Sequence, residues 1–272
     1  MAITVDLSGR VALVTGGTRG IGAGIADRLV EAGATVVVCG RHDPAVDGAE
    51  SGAGSALAAH QFVTCDVREP DQVAAMVDAI VTDHGRLDIA VSNAGGSPST
   101  DAADASPRFS EAIVRLNLLA PLHVAQAANR VMQGQPGGGA IVNIASVSGL
   151  RPSPGTAAYG AAKAGLINLT KTLAVEWAPK VRVNAVSAGL VATDDSLDHY
   201  GGADGLARVA ATVPAGRFGT PTEVADAVVF LASPLAGYVT GANLVVHGGG
   251  EWPAFLRAAE GPADEEGRAG SG

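Results

Sequence analysis

Short apolar runs rich in β-branched residues recur along the chain and alternate with segments of helical periodicity. Apolar runs of this kind, without polar alternation, are typical of strands that are buried on both faces of a sheet. The predicted strands lie within residues 10–16, 35–40, 62–67, 87–95, 140–146, 181–189 and 243–249.

The segments between these runs are predicted to be helices. Residues 70–85 carry an apolar stripe at helical spacing, with Pro70 as a start signal and Gly85 as a stop signal. Alternating strands and helices predict an α/β fold, with parallel strands, right-handed crossovers and helices on both faces of the sheet. The other predicted helices lie before Gly33, over about 107–133 and 155–178, and after Pro221.

The composition indicates a folded protein and argues against two classes of partner. Of 272 residues, 47% are hydrophobic, which is enough for a full core. The net charge of −9 and the lack of Lys/Arg runs argue against nucleic acid and anionic membranes as partners. No apolar run approaches the roughly 18 residues of a membrane helix, and the N-terminus lacks the basic segment of a signal peptide. We therefore expect a cytoplasmic location.

Neither the cysteines nor the histidines form a recognisable site. Cys39 and Cys65 lie in apolar, strand-like runs, which favours small buried side chains over a disulfide framework. The six histidines form no HExxH motif and no zinc spacing with cysteine. We expect no protein-built metal site.

A glycine-rich turn follows the first predicted strand. Gly16, Gly20 and Gly22 fall in a G-x3-G-x-G pattern that leads into a helix. Such a loop lets the backbone approach a pyrophosphate, which then lies on the N–H groups of the helix N-terminus. The spacing differs from the G-x-G-x-x-G dinucleotide fingerprint, and a plain tight turn remains an alternative.

The end of the second predicted strand bears on the type of dinucleotide. An NAD site usually offers an acidic residue about 20 residues beyond the loop, and this chain has Gly40 and Arg41 there, with Arg19 inside the loop. Because arginine matches phosphate geometry, we predict a preference for NADP(H). Asp43 keeps NAD(H) open, and the two arginines are otherwise ordinary surface residues.

Tyr159 and Lys163 stand four residues apart in a segment of small residues. Residues at this spacing share one face of a helix. Alone, the pair is equally consistent with a surface tyrosine and a solvated lysine.

Taken in order, these motifs resemble the short-chain dehydrogenase/reductase family over about residues 5–250. Tyr159 follows Ser146 by thirteen residues and precedes Lys163 by four, which is a specific combination. The matching landmarks are "TGGTRGIG" (15–22), "CDV" (65–67), "NAG" (93–95), Asn117, Ser146, "YGAAK" (159–163) and "TEVADAVVFLAS" (222–233).

The resemblance implies a Rossmann-like, doubly wound, seven-stranded parallel sheet with helices on both faces. It implies a single domain over residues 1–256 with a substrate lid at about 190–216, and residues 257–272 are expected to be a disordered tail. Relatives are commonly homotetramers, with helices 107–133 and 155–178 as the expected contact surfaces.

The resemblance also implies an NADP(H)-dependent oxidoreductase that interconverts a ketone and a secondary alcohol. Tyr159 would be the general acid/base. Lys163, together with the positive nicotinamide of the oxidised cofactor, would lower the pKa of Tyr159, and it would hold the nicotinamide ribose. Ser146 would orient the substrate oxygen, and Asn117 would support a water linked to the lysine.

The cofactor-binding residues that the resemblance implies are Gly16, Thr18, Arg19, Gly20, Ile21, Gly22, Arg41, Asp66, Val67, Asn93, Ala94, Gly95, Tyr159, Lys163, Gly189 and Thr193. Asp66 and Val67 would flank the adenine. At Ala188 the family usually has proline, so the turn before Gly189 is expected to be looser.

The predicted lid suggests the character of the substrate. Its apolar residues favour a neutral or moderately hydrophobic ketone or alcohol, and Asp194 and Asp195 disfavour an anionic one. Trp252 is expected either at a subunit contact or in a pocket. The apolar residues of the lid are Leu197, Tyr200, Leu206, Val209 and Val213.

Three other functions make different demands on the sequence. An α/β-hydrolase needs a G-x-S-x-G elbow, which is missing from the sequence. A 3-oxoacyl-thioester reductase of the same family stays open. A non-enzymatic dinucleotide sensor would predict a broken set of catalytic residues, whereas all four are present here.

Overall fold

The computed structural model describes residues 4–42, 60–193 and 201–256. Three predicted features fall wholly or partly outside these residues: Asp43, residues 194–200 of the lid with Asp194, Asp195, Leu197 and Tyr200, and the tail 257–272. The described strands are β1 (Val11–Thr15), β2 (Thr35–Gly40), β3 (Gln61–Thr64), β4 (Ile89–Ser92), β5 (Gly139–Ser146), β6 (Val181–Ala188) and β7 (Asn243–Val246).

These seven strands form one sheet in the order β3-β2-β1-β4-β5-β6-β7. Every neighbouring pair is parallel, with Val11 opposite Thr35 and Ala12 opposite Ile89 on the two sides of β1. The predicted Rossmann-like, doubly wound sheet is therefore confirmed. The strand order reverses between β1 and β4, and ligands bind at such a switch point beyond the carboxyl ends of the strands.

The helices lie close to their predicted positions. The predicted helix over 107–133 is interrupted by a π-helical turn at Arg115–Leu119, and part of the predicted lid is helical. The described helices are α1 (Gly20–Glu31), α2 (Pro70–His84), α3 (Pro107–Val114), α4 (Ala120–Gly134), α5 (Ala157–Trp177), α6 (Gly202–Ala210) and α7 (Pro221–Ala232).

Local sequence explains several helix ends. Pro70 is the first residue of α2, and Gly85 ends this helix in the left-handed region with a φ of 76°. There the Gly85 N–H donates to the Val81 carbonyl at 2.8 Å. Glycine enters this region without the steric cost that a Cβ imposes, so the stop signal works as predicted.

Two apolar layers cover the sheet. Leu13 of β1 packs into a cluster with α2, α4 and α5, while Val14 packs into a second cluster with α1 and α7. Successive side chains of a strand point to opposite faces, so both sides of β1 are buried.

Cys39 and Cys65 are free and buried, as predicted. No helix in the described parts of the chain is long and apolar enough to cross a membrane.

Candidate active site

Three positions of the glycine loop between β1 and α1 require glycine. Gly16 and Gly20 have φ values of 64° and 54°, a region that other residues rarely adopt. A Cβ at Gly22 would lie 2.0 Å from the Gly16 carbonyl oxygen. The loop therefore folds tightly onto the first turn of α1, whose N–H groups form the positive end of the helix dipole.

Asn93 holds the loop from the neighbouring strand. Its Nδ2 donates to the carbonyl oxygens of Thr15 at 3.0 Å and Gly16 at 3.1 Å. The hydroxyl of Thr15 accepts hydrogen bonds from the backbone N–H groups of Asn93 at 3.0 Å and Ala94 at 3.1 Å. The carboxyl ends of β1 and β4 are thereby fixed together at the switch point.

A cleft of about 650 Å³ runs over these strand ends. All sixteen residues predicted to bind the cofactor line it, and so does Ser146. The sequence analysis missed other lining residues, among them His42, Arg68, Gly96 and Leu116. Asn117 is buried beneath the cleft and does not line it.

The end of the cleft beside β2 and β3 is basic. Arg41, His42 and Arg68 line it together with Asp66. Arg68 Nε donates to both carboxylate oxygens of Asp66, at 2.9 and 3.1 Å. This hydrogen bonding lowers the pKa of Asp66, so the carboxylate stays ionised. Arg68 follows the landmark "CDV" by one residue, and that proximity was the signal by which it could have been found.

The other end of the cleft brings Ser146 and Tyr159 together. Ser146 ends β5, Tyr159 lies in the first turn of α5, and their hydroxyls share a hydrogen bond. Burial raises the pKa of Tyr159, and the hydrogen bond with Ser146 opposes this in part. Of these two effects on the pKa of Tyr159, burial is the larger.

Lys163 lies one turn further along α5 and is only 3% exposed. Its Nζ is 5.6 Å from the centroid of the Tyr159 ring and donates to the Ile144 carbonyl oxygen at 2.8 Å. Burial lowers the pKa of Lys163 to about 8, since desolvation disfavours the charged form. The tyrosine and the lysine do share one helix face, as their spacing predicts.

The π-helical turn at Arg115–Leu119 places Asn117 close to Lys163. Asn117 Nδ2 donates to the Gly96 and Ile113 carbonyl oxygens, and its Oδ1 accepts from the Gly96 N–H, all at 2.9 Å. A Cβ at Gly95 would lie 2.7 Å from Asn117 Oδ1 and 3.3 Å from Lys163 Nζ. Asn117 and Lys163 thus approach the same stretch of backbone, and π turns are frequent at functional sites.

Two backbone hydrogen bonds hold the turn after β6, although Ala188 stands where the family usually has proline. The Gly189 N–H donates to the Val246 carbonyl oxygen at 2.9 Å, and the Ala192 N–H donates to the Gly219 carbonyl oxygen at 2.9 Å.

Further along the predicted lid, Val213 is buried, whereas Leu206 and Val209 of α6 are half-buried. Trp252 is half exposed and does not line the cleft.

Comparisons with known proteins agree with this geometry. Residues 16–251 match the family model described as enoyl-(acyl carrier protein) reductase. D-threitol dehydrogenase of Mycolicibacterium smegmatis is 36% identical over 244 residues, which cover 89% of this chain and 93% of that protein. A 3-oxoacyl-[acyl-carrier-protein] reductase of Chlamydia muridarum is 38% identical over 246 residues, with 89% and 98% covered.

A solved structure matches over a similar length. The crystal structure of a short-chain type dehydrogenase/reductase from Mycobacterium marinum superposes with a TM-score of 0.83 at 36% identity, and covers 92% of this chain and 98% of that one. The fold and site define an oxidoreductase. The chain belongs to the short-chain dehydrogenase/reductase family, which uses NAD(P)(H).

The residues present fit such a dinucleotide. Glycine is required at positions 16, 20 and 22 by the positive φ values and by the close contact that a Cβ at Gly22 would make. These glycines let a phosphate group approach the backbone N–H groups at the start of α1. The ends of β2 and β5 are three strand spacings apart, about 14 Å, so an extended ligand can reach from Arg41 to Tyr159.

Proposed function

We propose that this chain is an NADP(H)-dependent oxidoreductase that interconverts a ketone and a secondary alcohol, with Tyr159 as general acid/base. The observation that carries the proposal is the meeting of Ser146, Tyr159 and Lys163 at one end of a cleft that begins at the glycine loop. The bound nicotinamide supplies or accepts the hydride.

In the proposed reduction, Tyr159 gives its phenolic proton to the substrate oxygen, and it takes a proton from the alcohol in the reverse direction. Ser146 hydrogen-bonds the substrate oxygen and orients it. The ammonium group of Lys163, near the Tyr159 ring, stabilises the phenolate that forms when the proton leaves. Asn117 supports this arrangement by holding the Gly96 backbone.

The basic end of the cleft supports the preference for NADP(H). Arg41 and Arg68 lie there, and the charge of Asp66 is already engaged by Arg68. A phosphate group would therefore meet arginine rather than an available carboxylate. Asp43, the residue that favours NAD(H), lies outside the described residues.

The catalytic assignment is tested by Tyr159→Phe. Removing the phenol should lower kcat/KM for ketone reduction by about 10²- to 10⁴-fold, which is the usual contribution of general acid–base catalysis. Loss of absorbance of the reduced dinucleotide measures the rate, and fluorescence titration checks that NADPH still binds. Tyr238→Phe, at a fully exposed tyrosine, is the matched control. Near wild-type turnover in Tyr159→Phe would refute the assignment.

The cofactor preference is tested by Arg41→Ala. Hydrogen bonds to charged groups contribute about 1.5–3 kcal/mol, so the Kd for NADPH should rise about tenfold or more while that for NADH changes little. Arg130→Ala, at an arginine on α4 that pairs with Asp78, is the control. If the wild-type protein binds NADH more tightly than NADPH, the preference is wrong.

A 3-oxoacyl-thioester reductase is the second candidate. The observation that favours it is the similarity to the 3-oxoacyl-[acyl-carrier-protein] reductase of Chlamydia muridarum. Turnover of a 3-oxoacyl thioester with a much higher kcat/KM than any simple ketone would select this candidate.

The remaining expectations stay predictions. A dinucleotide sensor is disfavoured because Asn117, Ser146, Tyr159 and Lys163 are all present and close together. The homotetramer and the single domain over residues 1–256 are expected from the resemblance to the family, and the cytoplasmic location is expected from the sequence.

A further inference from the structure

A second cavity, of about 290 Å³, lies beyond the carboxyl ends of β5, β6 and β7. Gly189 lines both this cavity and the cofactor cleft, so the two meet at the turn after β6. On the β5 side its wall begins at Val147, the residue that follows Ser146 in the chain. A molecule whose reacting oxygen lies at Ser146 can therefore extend its other substituents into this second cavity.

The wall of the second cavity is mainly apolar. Val147, Leu150, Leu190 and Val213 line it, and Val213 comes from the predicted lid. An engineered apolar cavity of about 150 Å³ binds benzene, so the volume here suits a hydrocarbon body of about two rings. Small-molecule sites combine such walls with a few polar groups that fix orientation.

His247 is the polar group best placed to fix a ligand in the second cavity. It is half-buried and packs against Gly189, where a Cβ would lie 2.6 Å from the Cβ of His247. Among the described residues, no hydrogen bond reaches its ring nitrogens. Its ring can therefore offer a hydrogen bond to an oxygen inside the cavity.

The charged residues of the second cavity are already paired with each other. Arg151 Nη2 donates to Glu251 Oε1 at 2.5 Å, which joins the segment after β5 to the segment after β7. Because this pair has no net charge, the cavity offers no counter-ion to a charged substituent. The pairing favours a neutral occupant.

We propose that the second cavity binds the body of the substrate and that His247 hydrogen-bonds a second oxygen on it. The substrate class is then a neutral ketone or secondary alcohol on a compact, mainly hydrocarbon skeleton of about two rings, which carries a further hydroxyl or carbonyl group away from the reacting one. This inference rests on the proposed function.

The experiment compares kcat/KM for butanone, decalone and a set of decalindione regioisomers with NADPH. The wild-type protein should prefer decalone to butanone, and at least one dione to decalone. Leu190→Phe, which adds bulk to the wall of the second cavity, should lower the ratio of decalone to butanone by about tenfold, because it takes up volume that the larger ketone needs. Leu235→Phe, at an exposed leucine, is the control and should keep the ratio.

His247→Leu tests the polar contact. It should lower the ratio of the best dione to decalone by about fivefold to tenfold, as expected for one hydrogen bond, and His247→Gln should restore part of it. His84→Leu, at a histidine that ends α2, should leave the ratio unchanged. Ratios that stay constant in both Leu190→Phe and His247→Leu would overturn the inference while the proposed function stands.

A failure of the proposed function gives a different result. If no ketone is turned over, binding of the diones is measured by ligand-observed NMR on the wild-type, Leu190→Phe and His247→Leu proteins. Binding that both substitutions weaken would support the second cavity as a ligand site. No binding to the wild-type protein would overturn it.

Discussion

A lysine ammonium seldom lies inside a protein, because burial removes the water that stabilises its charge. Lys163 is nevertheless almost fully buried and keeps one hydrogen bond, to the Ile144 carbonyl oxygen. Its pKa of about 8 still lies above neutral pH. The residue therefore remains mainly cationic near Tyr159, at a cost in folding stability that an apolar side chain would avoid.

That cost predicts a pH dependence of stability. Between the folded pKa of about 8 and the ordinary value of 10.5, only the unfolded state holds the Lys163 proton, so folding becomes more favourable as the pH rises. The free energy of unfolding should therefore increase relative to Lys163→Met by up to about 1.4 kcal/mol per pH unit. Below pH 8 the difference in the free energy of unfolding between the wild-type protein and Lys163→Met should be constant.

Urea unfolding of both proteins over this pH range measures the difference. Lys171→Met changes an exposed lysine of the same helix and is the matched control. A difference between the wild-type protein and Lys163→Met that does not vary between pH 8 and pH 10 would contradict the prediction.

At the scale of elements, α7 shows how a helix is fixed at both ends. Thr220 and Glu223 form a capping box at its start, where the Thr220 hydroxyl accepts from the Glu223 N–H at 3.3 Å. At its end, Arg182 Nη1 donates to the Leu231 carbonyl oxygen at 2.7 Å. A cation at this end also interacts favourably with the helix dipole. Because α7 packs with α1 on one face of the sheet, its caps also support the element that carries the glycine loop.

Removal of the N-terminal cap should therefore destabilise the protein. Thr220→Ala should lower the free energy of unfolding by about 1 kcal/mol, while Thr220→Ser should keep most of the stability. Thr172→Ala, within α5, is the control. Denaturant unfolding measures all three variants, and equal effects of Thr220→Ala and Thr172→Ala would show that the cap contributes nothing.

At the scale of the whole molecule, large apolar side chains stay exposed on two separate surfaces. One includes Val175 of α5, which is 81% exposed. The other includes Phe230 of α7 and Leu244 of β7, and β7 is an edge strand whose unpaired backbone groups can meet another chain. Two such surfaces are consistent with the expected homotetramer, and the second was not among the helices predicted for subunit contacts.

A charge at Val175 tests the first of these surfaces. Val175→Asp should reduce the mass in solution from four chains to two, because an unpaired carboxylate would have to be buried at the interface. Light scattering measures the mass, with Thr82→Asp on α2 as the control. A wild-type protein that is monomeric at micromolar concentration would contradict the prediction.

Features that depend on neighbours along the chain can be predicted from the order of the amino acids. Apolar runs located all seven strands, Gly85 ended α2, and the spacing of Tyr159 and Lys163 placed both on one helix face. The motifs of the family also named sixteen residues that line one cleft, although their roles remain predictions. Local periodicity and turn chemistry suffice for this part because each signal acts over only a few residues.

Features that depend on contacts between distant segments become visible only in the folded chain. The pairing of β2 with β3 brings Arg41 and Arg68 to one end of the cleft, and burial raises the pKa of Tyr159. The π turn sets Asn117 beside Lys163. His247 reaches the second cavity because β7 pairs with β6. The physical reason is that burial, desolvation and side-chain contacts depend on which segments pack together, and spacing along the chain does not specify that.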